Sequence, residues 1–193
     1  MPTNHRLLLA ARPVGIPGPM NFSADSEPAR APNPGEVLLE TVYLSIDPAM
    51  RSWMSEGRGN CVALGEVMRG GGIARVLLSR SEGLVAGDLV QARLGWQTHP
   101  TIAGRYLQKL NLTHGTAEDW IGPLGLTAVT AYFGMRDIGG LRPTDRVLVS
   151  AAAGGVGQIA LQIAHMEGCQ VAGIAVGPQK CAFVAGELGA DAA

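Results

Sequence analysis

Apolar and polar positions follow two different rhythms along this chain, one on each side of about residue 120. Before that point the apolar runs are short and rich in β-branched residues. Residues 37–46 begin after Pro34-Gly35 and stop at Asp47-Pro48, the punctuation of a strand. Residues 72–79 and 88–94 read the same way, the second introduced by the turn Gly87-Asp88, and 7–11 and 106–110 are further predicted strands. Short strands at close spacing with glycine between them predict a barrel-like or sandwich domain. After about Glu118 the period lengthens. Residues 124–138 lack proline, and the spacing of Leu126, Val129, Tyr132 and Phe133 predicts a helix closed by Gly139-Gly140. A short apolar strand at 146–150 follows, of the kind buried on both faces of a parallel sheet. A helix at 155–167, a strand at 170–175 and a helix from Pro178 to about Leu188 complete a βαβα series. The expected fold class is therefore α/β. A β-rich domain spans 1–123, and 124–193 form the first half of a doubly wound domain, ending after its second helix.

Composition narrows the function more than the fold. With 47% hydrophobic and 16% charged residues the chain has the makings of a sizeable core. A net charge of −1 gives no electrostatic case for nucleic acid or an anionic membrane. No apolar window approaches the length of a membrane helix, and the start reads as no secretory signal, because Arg12 and Pro13 interrupt its apolar run. Cys61, Cys169 and Cys181 are odd in number and far apart, which argues against a disulfide framework and for a reducing, cytoplasmic setting.

The run Ser150-Ala-Ala-Ala-Gly-Gly-Val-Gly157 carries the chemistry. Glycines are common here, 27 in all, so context decides: the run leaves a predicted strand and opens a predicted helix. In such a turn Gly154 lets the main chain approach a pyrophosphate, and Gly157 lets the helix pack tightly on the strand. The helix start offers free N–H groups and a positive dipole end. Ala152 stands at the first glycine of the usual G-x-G-x-x-G, which is tolerable if that residue needs no positive φ. The competing reading is a tight turn without a ligand. Beyond the second strand, Ile174-Ala-Val-Gly177 holds no acid to bind a ribose 2′-OH. Lys180 follows, one of two lysines against thirteen arginines. A cation there suits a 2′-phosphate and so favours NADP(H), the alternative being a solvated lysine in a first helical turn.

With these residues in view, the chain resembles the medium-chain dehydrogenase/reductase superfamily, specifically its zinc-independent alkenal double-bond reductases. The likeness is carried by residues 43–51 (YLSIDPAMR), 64–70 (LGEVMRG), 130–134 (TAYFG), 149–157 and 168–174. It implies a GroES-like N-terminal domain, a Rossmann domain and an active site in the cleft between them. It implies that Thr130, Ala152, Gly154, Gly155, Val156, Gly157 and Lys180 line the NADP(H) site. Asp47, Ala49, Met50 and Arg51 become the substrate-side wall, although many relatives carry tyrosine where this chain has Ala49. Thr127-Ala128 replaces the Pro-Gly common before the Thr-Ala-Tyr run.

The residues agree with the zinc-independent branch. Zinc-dependent relatives carry Gly-His-Glu where Gly65 here precedes Glu66 directly, and the four-cysteine zinc lobe is missing. His5, His99, His114 and His165 are scattered, so no metal site is expected. Without a Lewis acid, conjugate reduction is the simpler chemistry: hydride to the β-carbon of an enal or enone, with donors holding the enolate. A quinone or carbonyl reductase shares every motif, and a non-catalytic binding module or remnant is the third reading. The resemblance further implies that relatives continue for more than a hundred residues, which supply more cofactor contacts and a homodimer interface. The chain is therefore expected to be an N-terminal fragment with weak NADP(H) binding and little turnover alone, its small-molecule substrate unidentified.

Overall fold

The structure is a computed structural model, in which residues 1–57 and 60–193 are described. The chain divides into two compact units, Met1–Ala117 and Glu118–Ala193. A helical turn, Ala117–Ile121, crosses that division and ends just before the 123/124 boundary expected from the sequence. Among the described residues no helix is long and apolar enough to cross a membrane.

The first unit is antiparallel. Strands β1 (Thr3–Leu9) and β2 (Phe22–Pro28) form a hairpin-like pair. A five-stranded sheet has the order β6-β3-β4-β5-β7, built from β3 (Glu36–Leu44), β4 (Gly71–Ser79), β5 (Leu89–Arg93), β6 (Thr101–Ala103) and β7 (Gln108–Lys109). Alternation sets the register: Val37, Leu39, Ala74, Val76, Val90 and Leu94 bury one face together with Leu84. Register shifts at Leu38/Leu39 and Thr41/Tyr43 mark irregularities of the β3–β4 ladder, of the kind that increase twist. A second core gathers Leu9, Met50, Met54, Val62 and Met68, with Phe22, Trp53 and Trp96 against it. Asn4 is the buried polar residue of this unit, and it is satisfied: its amide donates to Gln97 Oε1 at 2.9 Å and its oxygen accepts from the His99 N–H at 2.8 Å.

The structure adjusts several expectations. The predicted strand at 7–11 runs instead over Thr3–Leu9, because the N–H groups of Ala10 and Ala11 both turn to the Asn21 carbonyl. The predicted strand at 106–110 shrinks to β7, since Gly104–Tyr106 is a 3-10 turn closed by Leu107 N–H to Gly104 C=O. Strand β2 gave no apolar signal. Its sequence FSADSEP is mostly exposed, and it is held by the backbone ladder and by Arg6, which pairs with Asp25 and Glu27. The short helix α1 (Ala49–Trp53) arises directly after the Asp47-Pro48 stop, Pro48 serving as its N-cap.

In the second unit, after α2 (Ala117–Ile121), come α3 (Leu126–Phe133), β8 (Arg146–Val149), α4 (Gly155–Met166), β9 (Gln170–Gly173) and α5 (Pro178–Gly186). β8 and β9 are parallel, Arg146 opposite Gln170 through Val149 opposite Gly173. Ala172 makes a further parallel bridge to Ala192, so a third strand position is begun on the far side of β9. The core holds Ala131, Val149, Ala152, Ala160, Leu161, Ala164, Val171 and Val184, with Cys169, Leu188 and Ala190. α3 continues as a π-turn over Gly134–Ile138, covering the span its apolar spacing predicts. The stripe that predicts it is its exposed face, however: Leu126, Val129, Tyr132 and Phe133 all point outward. Small residues decide which face packs. Thr127, Ala131 and Met135, four apart, lie on the other face; Ala131 is in the core and Met135 packs against it.

Candidate functional site

The densest cluster of predicted site residues lies where β8 turns into α4. Past the strand ends the parallel ladder is extended by Ile174 N–H to Val149 C=O (2.8 Å) and Ala152 N–H to Ile174 C=O (3.0 Å). These bonds tie the turn to the end of β9. Ala151 has φ 48°, the left-handed region, where L-alanine costs roughly 1 kcal/mol. It is the only non-glycine residue among those described to do so. The positive φ thus falls at Ala151 and not at Ala152, which is why alanine is accepted at the first-glycine position. The turn is closed by Gly154 N–H donating to Ala151 C=O at 2.8 Å. Ala152 itself is fully buried under the turn.

Two glycines make the close approach possible. A Cβ on Gly157 would collide with the Ala151 carbonyl oxygen and lie 2.9 Å from Ala152 Cα, both backbone. A Cβ on Gly173, at the end of β9, would lie 2.5 Å from Val184 Cγ1 and 2.8 Å from Ala152 Cβ. The first seats α4 on the strand and the second seats α5. No local pattern singles out Gly173, because Val184, Ala152 and Leu161, which crowd it, lie on separate elements.

Helix α4 opens without a side-chain cap: Gly154 is extended, with φ −87° and ψ 166°, and no acid sits in the first turn. The first helical bond is Gln158 N–H to Gly154 C=O, leaving Gly155, Val156 and Gly157 amides without an i−4 acceptor. Gly154, Gly155 and Val156 are exposed. An uncapped, glycine-lined helix start with free donors fits an anion such as a pyrophosphate. These residues fit the dinucleotide that the sequence predicts.

The flanking residues divide. Parallel pairing puts the C-terminal ends of β8 and β9 on one edge, and Lys180 stands beyond the β9 end as the third residue of α5. Its side chain is exposed and makes no hydrogen bond or ion pair among the described residues. Thr130 is exposed on α3 and its hydroxyl donates back to Leu126 C=O at 2.7 Å. The α3 residue brought to the glycine turn is Thr127, whose Cγ2 lies 3.3 Å from where a Gly155 Cβ would be. Its signal in the sequence was its place four residues before Ala131.

In the first unit the wall candidates take separate parts. Asp47 accepts from Ser45 Oγ at 2.9 Å and its carbonyl accepts from Met50 N–H. Ala49 is exposed at the start of α1, whereas Met50 is buried in the core. Arg51 donates Nε to Gly15 C=O (2.8 Å), one terminal nitrogen to Pro13 C=O (3.0 Å) and the other to Ser55 Oγ (2.8 Å). Glu66 accepts from the Ala63 N–H at 3.3 Å. Among the described residues no three His, Cys, Asp or Glu side chains are grouped to hold a metal ion.

Residues 5–110 match the family described as the N-terminal domain of oxidoreductase. An NADPH-dependent curcumin reductase of Escherichia coli is 40% identical over 97% of this chain and 55% of its own length. The chain belongs to the zinc-independent medium-chain dehydrogenase/reductase family. Prostaglandin reductase 1 of Rattus norvegicus, another such reductase, is 37% identical over 93% of this chain and 54% of its own. The crystal structure of CurA in complex with NADPH, from Vibrio vulnificus, superimposes with a TM-score of 0.90 at 37% identity, covering 97% of this chain and 56% of that one. Against these medium-chain reductases the first unit is the GroES-like domain and the second the start of the Rossmann domain. The chain spans about half the length of the relatives it matches.

Proposed function

We propose that this chain is the N-terminal part of an NADPH-dependent reductase of the C=C bond of α,β-unsaturated aldehydes and ketones. The observation that carries the reading is the uncapped start of α4, with free Gly155, Val156 and Gly157 amides beside a β9 end that offers Lys180 and no acid. Relatives named for NADPH-dependent reduction of curcumin and for reduction of prostaglandins support the cofactor and the reaction class. NADPH held there supplies the hydride. The chain's own part is to bind the pyrophosphate at the α4 start, to pair Lys180 with the 2′-phosphate, and to carry one substrate-side wall on α1. The reaction itself needs no resident metal: hydride adds to the β-carbon, and donors stabilise the enolate until the α-carbon is protonated. The three cysteines are free thiols, in keeping with a reducing cytoplasmic setting.

The test is NADPH oxidation by the complete gene product with a panel of enones, quinones and simple ketones. Turnover confined to the conjugated C=C substrates is expected; turnover confined to quinones, or zinc-stimulated alcohol oxidation, overturns the reading. Lys180→Ala should raise the NADPH KM about tenfold and leave the NADH KM within twofold, since one charge-assisted phosphate contact is lost. Equal effects on both cofactors remove that role.

A further inference from the structure

We propose that the loop from Pro13 to Gly18 is a specificity wall for the apolar part of the substrate, with Arg51 as the positioning residue that holds it. The inference rests on the enal/enone reading above and extends it to the shape of the substrate. Val14 and Ile16 are 99% and 93% exposed, among the most exposed large aliphatic side chains in the chain. They stand on a loop that is closed at its base and clamped from the side. Ala10 and Ala11 N–H groups donate to Asn21 C=O (2.8 and 3.2 Å), Gly18 N–H donates to Asn21 Oδ1 (2.8 Å), and Pro13 is buried. Arg51 then donates to the Gly15 and Pro13 carbonyls, so that the main chain on both sides of Val14 is fixed.

Arg51 is well placed to hold and poorly placed to bind. Each of its three nitrogens already has a protein acceptor. Its neighbour Met50 is sunk in the core, which anchors α1 under it. Arg12 repeats the device, one nitrogen donating to Val62 C=O (2.6 Å) and to Met54 C=O (3.1 Å) just beyond α1. Two guanidinium groups are thus committed to backbone carbonyls, keeping an apolar loop in one place. A surface that presents aliphatic side chains in a fixed conformation binds apolar groups with little ordering cost.

Size selects the occupant. Two aliphatic side chains on one narrow loop fall far short of the roughly 800 Å² per partner in a stable protein interface. They match an alkyl chain of a few carbons. α1 carries both Arg51 and the exposed Ala49, so the loop extends the candidate substrate wall with apolar surface.

The experiment compares trans-2-nonenal with acrolein, a long and a short enal, for the complete gene product and for Val14→Ser/Ile16→Ser. The ratio of kcat/KM for nonenal over acrolein should fall about tenfold through KM, as apolar contact to the alkyl chain is lost. Arg51→Ala should move the ratio the same way, and Arg51→Lys, with one donor nitrogen in place of three, should recover part of it. An unchanged ratio overturns the proposal, and so does an equal loss on both enals, which marks a structural role alone. A change of sedimentation coefficient with an unmoved ratio also overturns it, making the loop a contact for a second copy. If the parent protein reduces neither enal, the functional reading falls and this inference with it.

Discussion

Replacing Gly157 by alanine tests whether the α4 start is a phosphate site or only a tight turn. The new Cβ meets backbone on every near side: the Ala151 carbonyl oxygen, and Ala152 Cα at 2.9 Å. No rotamer relieves contacts with main chain. Carbon–carbon contact is comfortable at about 3.5 Å, so the helix start must retreat by roughly 0.6 Å to clear Ala152 Cα, and further to clear the oxygen. Overpacking of this kind costs on the order of 1–3 kcal/mol of stability. The same retreat carries the Gly155, Val156 and Gly157 amides away from a bound pyrophosphate. Losing one charge-assisted bond of about 1.5–3 kcal/mol raises the NADPH Kd roughly ten- to hundredfold. Gly186→Ala is the control, because its Cβ, at the end of α5, would meet nothing within 4 Å. NADPH fluorescence titration of the complete gene product measures both variants, with circular dichroism to verify folding. Binding by Gly157→Ala within threefold of the parent, or equal damage from Gly186→Ala, refutes the reasoning.

Two further outcomes concern stability. Gly173→Ala should cost about 2 kcal/mol by pressing on Val184 and Ala152, and Val184→Ala should restore part of it. Amide exchange at Val171 and Gly173 reads the double-mutant cycle, and strictly additive effects would show that the two sites do not press on each other. On the first unit, Arg30 grips Glu36 through two nitrogens, at 2.6 and 2.8 Å, and the Asn33 N–H adds a third bond at 2.9 Å. Arg30 above all, then Asn33, lowers the Glu36 pKa from 4.5 to about 2. Since the folded value is depressed, this stabilisation is present above pH 4.5 and is lost as pH falls through about 2. Arg30→Ala should return the NMR titration midpoint of Glu36 toward 4.5, and an unmoved midpoint would assign the shift elsewhere.

Much of the molecule was legible in the order of its residues because the deciding forces are local. Strand and helix periods, the change of rhythm near Glu118 and the glycine turn after β8 each depend on neighbours within a few positions. The collinear runs from Tyr43 to Ile174 named the family that the comparisons show. Other features escaped because their causes are distant in sequence. β2 is a strand through Arg6 and a backbone ladder, with no apolar pattern of its own. The apolar stripe of α3 announced a helix but not its buried face, which Ala131 and Met135 determine by fitting the core.

The same division runs through the site. The sequence by itself determined that a glycine-rich turn opens α4 and that Lys180, not an acid, follows β9, since both are matters of residue type at fixed spacing. Tertiary structure alone decided that the left-handed residue is Ala151, that Gly173 must stay bare between Val184 and Ala152, and that Arg51 turns inward to hold Pro13 and Gly15. Each of those depends on how closely segments far apart in the chain approach one another. Close packing sets that distance, and no local pattern encodes it.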